Sequence, residues 1–153
     1  MRIYDAIDFY WSDDGDFAID DTGDLMDTSY DPLKSIKQEI IDRISGNQQG
    51  WLYQPALGAN LDRFVGEPNT RENGKAIQHA VINSLLYGNL VDIGDLKVLV
   101  TPLSASMIAI RIQIACLPTS RNSRALPITL SFLYDYSDNH VYAVQGNYVN
   151  HAI

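Results

Sequence analysis

Apolar residues recur along this chain with two different spacings, and the change from one to the other divides it. Leu33, Ile36, Ile40 and Ile44 fall at i, i+3, i+7 and i+11, which puts them on one stripe of a helix. Lys34, Lys37, Glu39, Asp42 and Arg43 cover its remaining surface. Asp31-Pro32 supplies a start, a carboxylate N-cap followed by proline at the first helical position, and Gly46 supplies a stop. Ile77, Val81 and Leu85, spaced by four, predict a second long helix over 71–87 that Gly88 closes. Gly74 falls in its first turn, where a helix-weakening residue costs least. Between the two, Trp51-Leu52-Tyr53 reads as a short extended piece stopped by Pro55, 58–65 as a short helix, and Gly66-Glu67-Pro68-Asn69 as a break.

From residue 96 onward the period is two. Residues 96–100 form one strand, ended by Pro102, and 103–106 is a link of hairpin length. Over 107–115, Ile108, Ile110, Ile112 and Ile114 share one face while Arg111 and Gln113 share the other. The polar stretch 119–124 reads as a loop. Leu126, Ile128, Leu130, Phe132, Tyr134 and Tyr136 then make a second alternating face, and 137–139 turns into a strand beginning at Val141. The expected fold is α+β: an N-terminal hairpin and two main helices packed on a mostly antiparallel C-terminal sheet, within one domain over 1–153.

The strands at 126–136 and 141–149 carry aromatic and β-branched side chains and few charges. Such strands can join a partner through main-chain hydrogen bonds, or they can complete this chain's own sheet. On the first reading Ile128, Leu130, Phe132, Tyr134, Tyr142, Val144, Tyr148 and Val149 are the candidate interface residues.

The N-terminal segment is different in kind. Its first 31 residues hold ten aspartates, no glutamate and a single base, Arg2. Asp14-Gly15 and Thr22-Gly23 mark turns around Phe17-Ala18-Ile19-Asp20, so a short acidic hairpin is expected, with Phe17, Ile19 and Leu25 facing inward. Counting back from Gly15 gives Tyr10, Ser12 and Asp14, and from Gly23 gives Ala18, Asp20 and Thr22; neither set supplies the alternating oxygen ligands of a helix-loop-helix calcium site. A solvated acidic edge that discourages wrong strand pairing is the better fit.

Charge narrows the partners. The net charge of −8 disfavours nucleic acid and anionic membrane, both of which attract basic surfaces. The single cysteine, Cys116, lies at the end of an apolar run and reads as a small buried hydrophobe, and one cysteine makes no intrachain disulfide. The Met-Arg-Ile-Tyr-Asp start has no apolar signal segment and no apolar run reaches the ~18 residues of a membrane span, so synthesis and folding in a cytoplasm are expected.

Catalytic chemistry is poorly represented. Glu39 and Asp42 share a helix face but sit among bases, as solvated acids do; Glu67 beside Pro68 is a lone carboxylate without an evident partner for glycoside hydrolysis. His79, His140 and His151 have no second metal ligand at helical or hairpin spacing. No nucleophile elbow, phosphate loop or dinucleotide fingerprint occurs, and neither cofactor nor metal is expected. Arg121, Asn122 and Arg124 make a small basic patch that reads as a solvated loop or a contact to an acidic neighbour.

One pattern goes further. From Gln38 to Leu61 the chain reads Q-x5-I-x5-G-W-L-Y-Q-P-A-L-G-A-N-L, preceded by Gly23-Asp24-Leu25 in the hairpin and followed by a helix and strand pairs. Over about residues 15–116 this resembles the small wedge family of contractile phage tails, which starts the tail sheath at the baseplate and has a type VI secretion counterpart. Two positions depart from that family's pattern: Trp51 stands where many members have Glu, and Val91 to Asp95 replaces a Glu-Pro-Arg triplet. Residues 117–153 then read as a strand extension. The resemblance implies a structural, non-enzymatic part of a virion, assembled in the host cytoplasm and present in several copies. Its implied neighbours are the tail sheath protein, larger wedge proteins and the tail tube, and its implied mechanism is templating of the first sheath ring by β-strand addition. The alternatives are a lysozyme-like hydrolase of a tail, a label the family has carried, and a type VI or related injection-system baseplate component.

Overall fold

The computed structural model of the chain describes residues 7–11, 16–29, 32–119, 122–135, 137 and 140–143. Helix α1 spans Pro32–Ser45, and its stripe behaves as its spacing requires: Ile36, Ile40 and Ile44 are all fully buried. Helix α2 spans Arg71–Leu86. Thr70 caps its start, the hydroxyl accepting from the Asn73 amide at 3.2 Å, and Gly88 at φ 67 ends it in the left-handed conformation glycine allows. Asp31, the expected cap of α1, lies outside the described residues.

Four strands follow, β1 at Leu96–Pro102, β2 at Met107–Thr119, β3 at Asn122–Asp135 and β4 at His140–Ala143. They pair in chain order, each antiparallel to the next. This is the α+β arrangement expected, two helices against an antiparallel sheet. Ile108, Ile110, Ile112 and Ile114 form the middle of the inner face and are at most 1% exposed. Each such side chain contributes about 1.5–3 kcal/mol by leaving water. Tyr134 is buried with them and donates its hydroxyl to the Leu61 carbonyl at 2.7 Å, so its one polar atom is satisfied.

Two expected elements change. Of the polar stretch 119–124, the described residues 119 and 122–124 are strand, and pairing continues to Thr119↔Asn122. Register shifts between Ile114 and Leu117 and between Leu117 and Thr119 break the alternation there, and main-chain bonding does not need apolar side chains. The helix expected over 58–65 contracts to one 3₁₀ turn, Leu61–Phe64, whose ends Leu61 and Phe64 are buried.

Arg43 ties the helices together. It is 4% exposed; its Nη1 donates to the carbonyls of Ser84 in α2 and of Tyr87 just past the helix end, at 2.7 and 2.8 Å. Its Nε and Nη2 donate to Glu39 Oε1 at 3.1 and 2.7 Å. The guanidinium fork thus satisfies carbonyls at one helix end while an i, i+4 carboxylate balances its charge.

Candidate functional site

Residues 7–11, 16–20 and 24–28 form three short extended segments that bond to one another pairwise, through the bridges Phe9↔Asp27, Trp11↔Phe17 and Ile19↔Leu25. Tyr10 N donates to Met26 O, Ala18 N to Tyr10 O, and Met26 N to Ala18 O, each at 2.9 Å. Asp20 builds the turn, its carboxylate accepting from the Thr22 amide and hydroxyl and from the Asp24 amide. The Thr22 hydroxyl first, then the Asp24 and Thr22 amides, hold that carboxyl below its ordinary range.

The hairpin sits on α1 through Gln38. The side-chain amide accepts from Trp11 N at 3.1 Å and donates to Phe9 O at 2.8 Å, so one glutamine takes the place of a neighbouring strand. Lys34 Nζ lies 4.2 Å above the Tyr10 ring, and buried Thr28 accepts from the Asp8 amide at 3.0 Å. The inner face is therefore made by small or amphipathic residues at even positions: Tyr10, Ala18, Met26 and Thr28.

This reverses the expected orientation. Phe17, Ile19 and Leu25 were predicted inward, yet they are 47%, 63% and 47% exposed, beside Ile7, Phe9 and Trp11. Phe17 stacks on Trp11 with centroids 4.0 Å apart and meets Phe9 edge-on at 5.9 Å. Gln38 bonds the other face to the helix and Lys34 lies over the Tyr10 ring there, which leaves the larger side chains outside.

A second apolar surface stands beyond the C-terminal end of α1. The segment 47–57 closes on itself, with Gln49 N donating to Pro55 O at 2.8 Å and Gln54 N to Trp51 O at 3.2 Å. The chain then returns over the helix end: Ala59 N donates to Arg43 O and Asn60 N to Gly46 O, at 2.8 and 3.2 Å. Gly58 makes this approach possible, at φ 117, where a Cβ would stand 2.5 Å from Gly46 O. At the tip Trp51, Leu52 and Tyr53 are 52%, 85% and 93% exposed.

The sheet departs from the predicted interface. Ile128, Leu130, Phe132 and Tyr134 are buried in this chain's own core, so their side chains are closed to a partner. Tyr142 is exposed on the outer face, paired with Leu133; Val144, Tyr148 and Val149 lie outside the described residues. The two sheet edges differ. Counting in twos from the Leu103–Met107 hydrogen bond, Lys97, Leu99 and Thr101 bond toward β2, so the main-chain groups of Val98, Val100 and Pro102 face the open edge. Gln78 of α2 donates to the Val98 carbonyl there at 2.6 Å, and Pro102 has no amide to offer. The β1 edge is thus blunted, and β4 is the last described strand on the other side.

The carboxylates considered for catalysis are dispersed in role. Glu39 is engaged by Arg43, and Glu67 is exposed in the loop before α2. Asp42 is exposed as a residue, but its carboxyl is pushed above the ordinary range, first by lost hydration and then by Asp8 and Glu39. His79 is exposed on α2. The side chains of Cys116, Arg121, Arg124, His140 and His151 are outside the description. Among the described residues no group of three or more His, Cys, Asp or Glu could hold a metal, and no helix is long and apolar enough to cross a membrane. No family model, characterised protein or solved structure shows a significant match to this chain.

Proposed function

We propose that this protein is a structural component of a contractile injection machine, a baseplate wedge that starts the sheath by offering strand edges to its first ring. The observation that carries this reading is what the residues of the wedge-like pattern do. Gln38 clamps the acidic hairpin, Gly58 closes the 47–57 loop onto the end of α1, and buried Leu61 receives Tyr134. Each supports an exposed apolar surface or the core beneath it, which is work suited to an assembly part. The blunted β1 edge leaves the β4 side for strand addition, the mode by which main-chain bonds give affinity and alternate side chains give register. The helix side, with the hairpin and the Trp51–Tyr53 tip, would face the larger wedge proteins.

The test is purification of a tagged full-length copy from its native producing cells, followed by mass spectrometry. Co-purification of sheath and wedge proteins is the expected result. Recovery of the protein alone, or with factors unrelated to a tail, removes the reading. A muralytic assay on the same material adds an independent check, since hydrolysis lost on Glu67→Gln would replace it with the lysozyme-like alternative.

A further inference from the structure

We infer that the outer face of the N-terminal hairpin is a docking surface for a partner protein whose own apolar patch is ringed by lysine and arginine. Three observations converge on that occupant. First, the exposed large side chains are not scattered. Ile7, Phe9, Trp11, Phe17, Ile19 and Leu25 occupy alternate positions of three mutually bonded segments, so they share one face, and each is 39–63% exposed. A contiguous apolar face of this kind marks an interaction site more often than a bare surface.

Second, the face is already ordered. Phe17 contacts both Trp11 and Phe9, Thr28 ties two of the segments together, and Gln38 and Lys34 fix the hairpin from behind. Aromatic side chains held in place lose little freedom on binding, which is why they anchor interfaces.

Third, the rim is of one sign. Asp20, Asp21 and Asp24 stand at the turn beside Ile19 and Leu25, all exposed, and the first 31 residues hold ten aspartates and one arginine. The Asp20 carboxyl is bonded by its own turn, first by the Thr22 hydroxyl and then by the Asp24 and Thr22 amides, which holds it below the ordinary range. Such a rim attracts a cationic rim and speeds encounter with it. It repels anionic lipid and nucleic acid. It also opposes a second copy of this chain, because a two-fold contact would set aspartate against aspartate. The occupant is therefore a different protein with basic residues around an apolar centre. This inference rests on the hairpin alone and holds whether or not the protein belongs to a baseplate.

A water-soluble carbodiimide, which joins carboxylates to lysine amines without a spacer, is the probe. Tagged full-length protein in extract of its native producing cells is treated, purified and digested, and the joined peptides are identified by mass spectrometry. The expected result is linkage of Asp20, Asp21 or Asp24 to lysines of one other protein. That linkage should fall about tenfold or more in Phe17→Ser and in Ile19→Ser, which leave every aspartate in place, and should weaken with added salt. Circular dichroism of the exposed-site variants verifies folding, and Asp21→Lys, a charge reversal on the turn, should reduce linkage through the remaining aspartates. Linkage only between copies of this chain, linkage unchanged by Phe17→Ser and Ile19→Ser, or no linkage at the rim overturns the inference. If the rim links to a basic protein unrelated to tails, the inference stands and the baseplate reading fails. If tail proteins co-purify but join nowhere near the hairpin, the inference fails and the baseplate reading stands.

Discussion

Replacing Arg43 with alanine tests the packing of α1 on α2 most directly. The side chain makes four N–H···O contacts, two to carbonyls at the end of α2 and two to Glu39, while only 5% of it is exposed. Removing one partner of a buried ion pair costs about 3–5 kcal/mol when the other charge stays buried. Glu39 is 31% exposed and can rehydrate, which argues for the low end. What is not recovered is the donor for the Ser84 and Tyr87 carbonyls, each bond to a charged donor being worth about 1.5–3 kcal/mol before the desolvation of the guanidinium is offset. A net loss of about 3 kcal/mol follows. Glu39→Ala leaves both carbonyl bonds intact but strips the buried guanidinium of its counter-charge; water can reach the freed N–H groups through the 31% exposed Glu39 position, so it should cost about 1–2 kcal/mol. Urea titration followed by far-UV circular dichroism reads this difference. With a denaturant slope of about 2 kcal/mol/M, Arg43→Ala should move the midpoint by about 1.5 M and Glu39→Ala by about 0.5–1 M. Equal shifts for the two variants would refute the reasoning, because they would mean that Arg43 serves only to neutralise Glu39.

Gly58→Ala should destabilise the fold by several kcal/mol, on the order of 2–4, since the new methyl would collide with the Gly46 main chain at a positive φ; the same urea titration checks it. Gly74→Ala should do the reverse and raise stability by about 0.5–1 kcal/mol, because the added Cβ meets only Val100 Cγ1 at an ordinary 3.9 Å; thermal melting checks it. Asp42 carries a raised carboxyl pKa, so the folded state binds its proton more tightly than the unfolded chain does, and stability falls as pH rises through that pKa. Asp42→Asn should therefore be more stable than the parent at pH ~7, with the gain vanishing by pH ~3 where the parent is also protonated; urea midpoints across that range decide it.

Much of this architecture could be read from spacing. The stripe Ile36, Ile40 and Ile44 and the alternation from Ile108 to Ile114 both predicted burial, because a side chain's place on a helix or strand follows from its number in the element. Destination is another matter. Period two says that Ile128, Leu130, Phe132 and Tyr134 share a face, and equally that Phe17, Ile19 and Leu25 do. It does not say that the first face meets the helices and the second meets solvent. That choice is made by contacts distant in sequence, such as Tyr134 to Leu61 across 73 positions and Gln38 to Trp11 across 27. Gln38 itself stood in the quoted pattern, but nothing local marks a helix-surface glutamine as a stand-in for a strand. The strand ends at Thr119 and 122–124 were hidden for a different reason: those residues are polar and show no alternation, although β2 and β3 still pair there.

The blunted edge of β1 gives this sheet a direction. A flat sheet with two equal borders can be extended from either side, and copies of it can zip together indefinitely. Here Gln78 and Pro102 occupy two points of the β1 border, so among the described strands that border is the harder one to extend. Were a strand added to such a sheet, the unequal borders would favour growth in one direction over the other.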